Sequence, residues 1–358
     1  MPTLILALLL GVPFALVGII TWLIGMLLGV RGKGRRIARN VFLGWLAALP
    51  LWLFLAVPLL GSWLLSRAST RPDERNLTSV PANFGTEFES VRFPSRDQAL
   101  QLGGWWLPAD TGKPAVVFGH GLFRSRREIL ERGCALNRCG YPVLLFDFRG
   151  HGDSDPGPIT LGYRERLDVL GAVDFARQRT GLPRTLVAGV SMGATAALLA
   201  AAEAPDQVAG VLADSPFLNL HSTIGRHAWL LLRLPAFPFA QVFAWNLGRL
   251  GSFPPGELDL RRALPRLDSV PVLLVYGRDD PRMPPEEAEE ILRLIPSARK
   301  RLWFVEGAGH GAAFRKQPQG YIDEFRRWFE PPQTAASGVQ SPDSRSTPTT
   351  VRGEPAFR

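Results

Sequence analysis

Ser191 lies between Gly189 and Gly193 in the stretch VAGVSMGATAA, residues 187–197. Small apolar residues precede it and an alanine-rich run follows. The pattern suits a strand that turns abruptly into a helix. Such a turn strains the backbone at the serine, and the flanking glycines let strand and helix approach without Cβ clashes. The hydroxyl then stands exposed at the carboxyl end of the strand. A serine hydroxyl is a poor nucleophile until a base takes its proton, and the base needs a carboxylate to orient it. The apolar run VPVLLVYG ends at Gly277 and is followed by Arg278, Asp279 and Asp280. His310 follows RKRLWFVEG, within GAGHG. The chain therefore carries a serine, a carboxylate and a histidine in that order, each just past a strand-like run. Asp279 and Asp280 are adjacent, and on a turn only one of them can reach the histidine.

The elements that must position these residues are legible as an alternation. FESVRFP alternates apolar and polar residues as a half-buried strand would, and LGGWWLPA is a second candidate. PAVVFGHG, YPVLLFDF, RTLVAGV, VAGVLADSP, VPVLLVYG and RKRLWFVEG are short apolar runs that suit the interior of a parallel sheet. Helices are predicted around 126–138 and 163–179, over ATAALLAAAEA and over PQGYIDEFRRWF. Repeated β-α alternation argues for a mostly parallel central sheet with helices on both faces. Ligands of such sheets bind beyond the carboxyl ends of the strands. One long connection, residues 218–269, interrupts the alternation. Its stretch HAWLLLRLPAFPFAQVFAWNLGRL, apolar with prolines inside, predicts two short helices forming a lid over that end of the sheet.

Over about residues 88–330 the chain resembles the α/β-hydrolase family of serine hydrolases. The resemblance is carried by the G-x-S-x-G elbow at 189–193, His120-Gly121, DFRGHGDS at 147–154, GRDDPRMP at 277–284 and GAGHG at 307–311. It implies the α/β-hydrolase fold, with Ser191 as nucleophile and His310 as general base. It implies an oxyanion hole made by the backbone N–H groups of Leu122 and Met192. It also selects Asp280 as the orienting acid, three residues after the glycine and just before a short loop ending in proline; Asp279 is left to cap the loop or face water. His120 is expected to pack structurally beside the hole. His151 and Asp147 belong to a tight glycine-rich loop, and His221 and His227 to the lid, as surface or substrate-lining residues. The implied activity is cleavage of a small-molecule or lipid-like carboxylic ester or thioester through an acyl-enzyme. The alternatives are a serine peptidase of the same fold, disfavoured because the short N-terminal region leaves no room for a propeller-type gating domain, and a catalytically silent binding or scaffold protein, which has no need to keep all three residues. No His/Cys/Asp cluster has metal-ligand spacing and no phosphate loop follows a strand, so neither metal nor cofactor is expected.

The rest of the 358-residue chain supplies an anchor. Residues 3–30 and 41–65 carry no charge, and each exceeds the roughly 20 apolar residues needed to cross a bilayer. Two transmembrane helices are predicted, joined by the connector RGKGRRIARN with its five basic residues Arg31, Lys33, Arg35, Arg36 and Arg39. Short basic loops stay cytoplasmic, so the body is expected on the extracytoplasmic side; Arg67, Arg71 and Arg75 act against this assignment. Residues 66–87 read as a linker. Residues 331–358, rich in Ser, Thr and Pro, read as a disordered tail. The formal charge of +9 is mostly arginine, scattered rather than grouped on one face, so no nucleic-acid partner is expected. Cys134 and Cys139 are five apart on a predicted helix, which turns their side chains apart by about 140° and argues against a disulfide.

Overall fold

The computed structural model describes residues 17, 20, 23, 24, 33–68, 78–98 and 100–330. The first expected span, 3–30, lies outside the described residues except at Val17, Ile20, Leu23 and Ile24, which are helical. The expected tail, 331–358, lies outside them as well.

An eight-stranded sheet forms the centre. Its strands are β1 (Glu89–Pro94), β2 (Gln101–Leu107), β3 (Val116–Gly119), β4 (Val143–Phe146), β5 (Thr185–Val190), β6 (Val208–Asp214), β7 (Val272–Gly277) and β8 (Lys300–Val305). They lie in the order β1-β2-β4-β3-β5-β6-β7-β8. The β1–β2 and β2–β4 pairs are antiparallel and all the others parallel. Every residue of β3, β4, β5 and β7 is buried, which is why these strands read as unbroken apolar runs. At the edge, β1 keeps exposed positions on the solvent side.

Alternate side chains of the strands enter two cores. Val116, Phe118, Leu145, Leu212 and Val275 pack on one face, with Leu130, Leu136 and Phe325 from helices Leu130–Arg138 and Pro318–Phe329. Val117, Leu144, Val187, Val211 and Leu274 pack on the other, with Leu170, Leu198 and Ile291 from helices Glu165–Thr180, Met192–Glu203 and Pro285–Leu294. Period-two alternation along each strand sends neighbours to opposite faces. Pro285–Leu294 is a helix that the sequence reading lacks. Its signals are Pro285 at the first position and Glu286 and Glu287 in the first turn, where an acidic side chain meets the positive end of the helix dipole.

The chain before the sheet is also helical. We label the helices α1 (Lys33–Leu51), α2 (Val57–Arg67), α3 (Leu130–Arg138), α4 (Glu165–Thr180), α5 (Met192–Glu203), α6 (Leu220–Leu232), α7 (Ala236–Gly251), α8 (Pro285–Leu294) and α9 (Pro318–Phe329), leaving shorter turns unlabelled. A π-helical stretch, Trp52–Ala56, joins α1 to α2 with helical dihedrals on both sides. Within this run, Leu46–Arg67 is long and apolar enough to cross a membrane. It is the one such helix among the described residues, and it overlaps the second expected span; the first lies outside them. The connector between the expected spans is not a loop: Lys33–Asn40 already belong to α1. Arginine, isoleucine and alanine are adequate helix formers, and no proline interrupts them until Pro50.

Nor is α2 apolar surface on all sides. Val57, Pro58, Ser62 and Ser66 are buried, and Asn246 Nδ2 of α7 donates to Ser62 Oγ at 2.8 Å and to Leu59 O at 3.2 Å. The expected linker 66–87 is partly fastened too. Ser66 O accepts from Ile159 N at 3.2 Å, and Pro81 and Thr86 are buried; residues 69–77 lie outside the described set. In the insertion 218–269, α6 and α7 are longer than the short pair expected. Pro235 and Pro238 punctuate only the turn between them, because proline is tolerated at a helix start and not inside. Cys134 and Cys139 are free thiols.

The approach of α4 to the sheet yields a stability prediction. A Cβ on Gly171 would overlap Pro94 O and come within 2.9 Å of Ser95 Cα, both backbone atoms that cannot swing aside. Gly171→Ala should destabilise the fold by about 1–3 kcal/mol through overpacking, despite alanine's better helix propensity. Thermal unfolding of the detergent-solubilised chain checks this; an unchanged or raised Tm would contradict it.

Candidate active site

Ser191 occupies the turn between β5 and α5 with φ 53° and ψ −115°. Its N–H donates to Asp214 O at the end of β6, at 2.8 Å. The glycines are required sterically: a Cβ on Gly193 would sit 2.5 Å from Gly119 O, and one on Gly189 would run into the Gly193 backbone. The hydroxyl donates to His310 Nε2 at 2.8 Å, and His310 Nδ1 donates to Asp280 Oδ2 at 2.6 Å. This chain of contacts places the Nδ1 proton against the carboxylate and leaves Nε2 as acceptor for the serine. Asp280 is buried, and its other oxygen accepts from Arg282 N at 2.8 Å and Met283 N at 3.2 Å. Asp279 is exposed, held only through its backbone N–H to Ala308 O at 3.0 Å. The turn after β7 thus points one carboxylate inward and the other to solvent.

Met192 is buried at the first position of α5, where N–H groups have no intrahelical acceptor. Leu122, half-buried, lies in the turn after β3. Both neighbours of Leu122 are pinned. Gly121 N donates to Glu128 Oε2 at 2.6 Å, and Phe123 N donates to His151 Nε2 at 3.3 Å. His151 Nδ1 donates to Arg149 O at 2.8 Å. His120 Nδ1 donates to Gly121 O at 2.7 Å, while its Nε2 accepts from Phe148 N at 3.1 Å. Both histidines are therefore held as neutral rings between backbone groups, consistent with structural roles. Asp147 closes the same loop, accepting from Arg126 N at 2.7 Å and Asp153 N at 3.0 Å.

Three residues that sequence reasoning missed hold the loop of His310. Ser215 Oγ donates to Asp214 Oδ1 at 3.0 Å and accepts from Gly311 N at 3.3 Å. Arg132, on α3, donates from Nη2 to Gly311 O at 2.8 Å and lies 3.7 Å from Asp214 Oδ2. The buried Asp214 carboxylate therefore ties the serine turn to the histidine loop. ADSP at the end of a strand was the available signal for Asp214 and Ser215; nothing local marks Arg132, which arrives from a distant helix. Glu128 was equally hidden, an ordinary helical glutamate by sequence. His227, half-buried on α6, donates from Nδ1 to Thr223 O at 2.8 Å, and burial lowers its pKa. His221 is half-buried on the same helix. Among the described residues no group of three His, Cys, Asp or Glu side chains could hold a metal ion.

The chain is similar to known proteins. Residues 114–268 match the family of the alpha/beta hydrolase fold, and residues 254–340 match a family described as TAP-like protein. An uncharacterized protein of Mycobacterium tuberculosis, Rv2307c, is 30% identical over 248 residues, covering 67% of this chain and 78% of its own. The mouse sn-1-specific diacylglycerol lipase ABHD11 is 27% identical, over 73% of this chain and 96% of that protein. Among solved structures, the Pyrococcus furiosus esterase Pf2001 superposes with a TM-score of 0.58 at 26% identity, over 70% of this chain and 95% of that one.

The two structural histidines give the fold a pH dependence. Burial pushes the pKa of His120 well below its ordinary value, with the nearby His151 adding to the shift, and burial lowers that of His151. A depressed histidine pKa means that the unfolded chain binds protons more readily than the folded one. The contribution is complete above the unfolded value of about 6.5 and is lost as pH falls below it, at up to about 1.4 kcal/mol per pH unit for each ring. Tm should therefore drop from pH 7.5 to 5.5, and His151→Asn should show a shallower drop. Parallel curves for the two proteins would contradict this origin.

Proposed function

The chain belongs to the α/β-hydrolase family, and from that premise we propose that it is a membrane-anchored serine hydrolase cleaving carboxylic esters or thioesters through an acyl-enzyme. The observation that carries the reading is the unbroken contact from Ser191 Oγ through the His310 ring to the buried Asp280 carboxylate. The esterase and lipase among its relatives support an ester as substrate.

The chemistry proceeds in two halves. Ser191 Oγ attacks the carbonyl carbon while His310 Nε2 takes its proton, and the Asp280 carboxylate stabilises the imidazolium that results. The carbonyl oxygen becomes an oxyanion, received by the backbone N–H groups of Leu122 and Met192. The pinned positions of Gly121 and Phe123 keep the first donor in place before substrate arrives, which is how such donors stabilise developing charge without reorganising. His310 returns the proton to the leaving alcohol or thiol as the C–O or C–S bond breaks. Water then attacks the acyl-enzyme, again giving its proton to His310, and Ser191 is released with the free acid. The insertion carrying α6 and α7 serves as a lid. Helix Leu46–Arg67 anchors the protein, with the basic residues between Arg31 and Arg39 on the cytoplasmic side and the hydrolase body outside.

A fluorophosphonate probe should label the wild-type chain and leave Ser191→Ala unlabelled; equal labelling of both would remove Ser191 from the nucleophile role. Asp280→Asn should lower kcat for a simple ester by up to roughly 10⁴-fold, while Asp279→Asn stays within about tenfold of wild type. The reverse ranking, with both variants folded, would move the acid to Asp279. For orientation, Gln178→Cys on the exposed face of α4, in a Cys139→Ser background, should react with an impermeant maleimide in intact cells stripped of any outer wall. Reaction only after lysis would put the body in the cytoplasm.

A further inference from the structure

The membrane-crossing helix does not leave the bilayer as a free stalk. Its last eleven residues, α2, lie along α7 of the lid. Gly61 of α2 has Phe243 of α7 within 3.3 Å of where a Cβ would stand, and Asn246 bonds to Leu59 and Ser62. The faces that these helices do not bury against each other carry exposed aromatic and aliphatic side chains. On α2 they expose Leu60, Trp63 and Leu64. On α7, Trp245 is 54% exposed, and Phe237, at the turn that opens the helix, is 73% exposed.

Basic groups accompany the aromatic ones. Arg249 Cζ lies 5.1 Å from the Trp245 ring centre, and on α6 Arg233 Cζ lies 5.8 Å from that of Trp229, also exposed. Tryptophan paired with arginine beside an apolar helix is the composition of the headgroup layer, where rings sit at the boundary and cations meet anionic lipid. Water would solvate such a face poorly; a lipid interface continuous with the span covers it. We propose that the outer face of the α6–α7 pair lies in the membrane interface beside the span, so that the lid is a lipid-contacting surface and the bilayer is the source of the ester.

Helix α6 buries Thr223, Ile224 and Ala228 on another side. Trp229 and His227 are two residues apart on α6, about 200° around its axis, so they occupy opposite sides. Trp229 is exposed, while His227 is half-buried and bonded to Thr223 O within its own helix. The inference rests on Leu46–Arg67 being a span and deepens the ester-hydrolase reading by assigning the substrate to lipids resident in the bilayer.

The test uses the full chain reconstituted into phosphatidylcholine–phosphatidylglycerol vesicles. An environment-sensitive fluorophore is placed at Trp245→Cys and, as a control, at exposed Glu131→Cys, each in a Cys139→Ser background. Doxyl-labelled lipids should quench the label at 245 and not the one at 131. Phe237→Ser/Trp245→Ser should lower hydrolysis of a vesicle-embedded diacyl ester at least about tenfold and leave p-nitrophenyl acetate turnover within about twofold. An unquenched label at 245 in a chain that resists carbonate extraction overturns the proposal, as does an equal loss on both substrates. Carbonate extraction of the wild type overturns it together with the anchor. Failure of the wild type to turn over either ester removes the hydrolase reading alone, and the quenching still decides where the lid lies.

Discussion

The backbone of Ser191 holds a positive φ that a residue with a side chain rarely adopts, a strain of about 1–3 kcal/mol that persists only where the surroundings over-determine it. Three constraints do so here. β5 is buried along its whole length and cannot slide. Gly189 and Gly193 let α5 descend onto the strand end, where any Cβ would meet backbone. The Ser191 N–H is tied to Asp214 O on the neighbouring strand. Release of any one would let the turn relax, and the hydroxyl would leave the line of His310. The site is precise because the sheet is rigid, and the sheet is rigid because both its faces are covered.

Around that turn, charged groups are buried to hold loops in register. Asp214, Ser215 and Arg132 join the serine turn to the histidine loop; Glu128, His151 and His120 fix the turn that carries Leu122. Arg149 and Asp168 form a buried ion pair at 2.6 Å that fastens the glycine-rich loop after β4 to α4. Such buried pairs add little net stability, since desolvation offsets much of their attraction, but removing one partner strands the other. Their effect is to remove alternatives: each loop at the carboxyl end of the sheet has one place to sit, fixed before any ligand enters.

The N-terminal helix changes what the insertion means. An apolar pair of helices over the carboxyl end of a sheet would ordinarily serve as a cover whose outer face is polar. Here the α6–α7 pair exposes Trp229, Phe237 and Trp245, and the helix packed against α7 is the one suited to crossing a bilayer. Polar contacts between α2 and α7 are few and local, and apolar packing of Val57 and Phe243 in the same core fixes their relative position. The orientation of the body relative to a membrane would then follow from one helix–helix contact and needs no separate binding domain.

Much of this was legible in one dimension, for a physical reason. A residue buried on both faces must be apolar, so the central strands announced themselves as apolar runs. A strand that turns sharply into a helix must use glycine where backbones touch, so Gly189, Ser191 and Gly193 marked the elbow. Residues past strand ends converge in a parallel sheet, so His310 and the Asp279–Asp280 pair could be placed near Ser191 before any coordinates. What tertiary structure alone decided depends on distances between segments far apart in the chain. The resemblance picked Asp280 from the adjacent pair, but what turns it inward is the backbone path after β7, where Arg282 N and Met283 N capture its carboxylate. Arg132 and Glu128 carry no local signature, because an arginine or glutamate on a helix reads as solvated until another loop is packed against it. The apolar run after residue 40 showed length and hydropathy but not its partner, for hydropathy measures the wish to leave water and not the surface that is found instead.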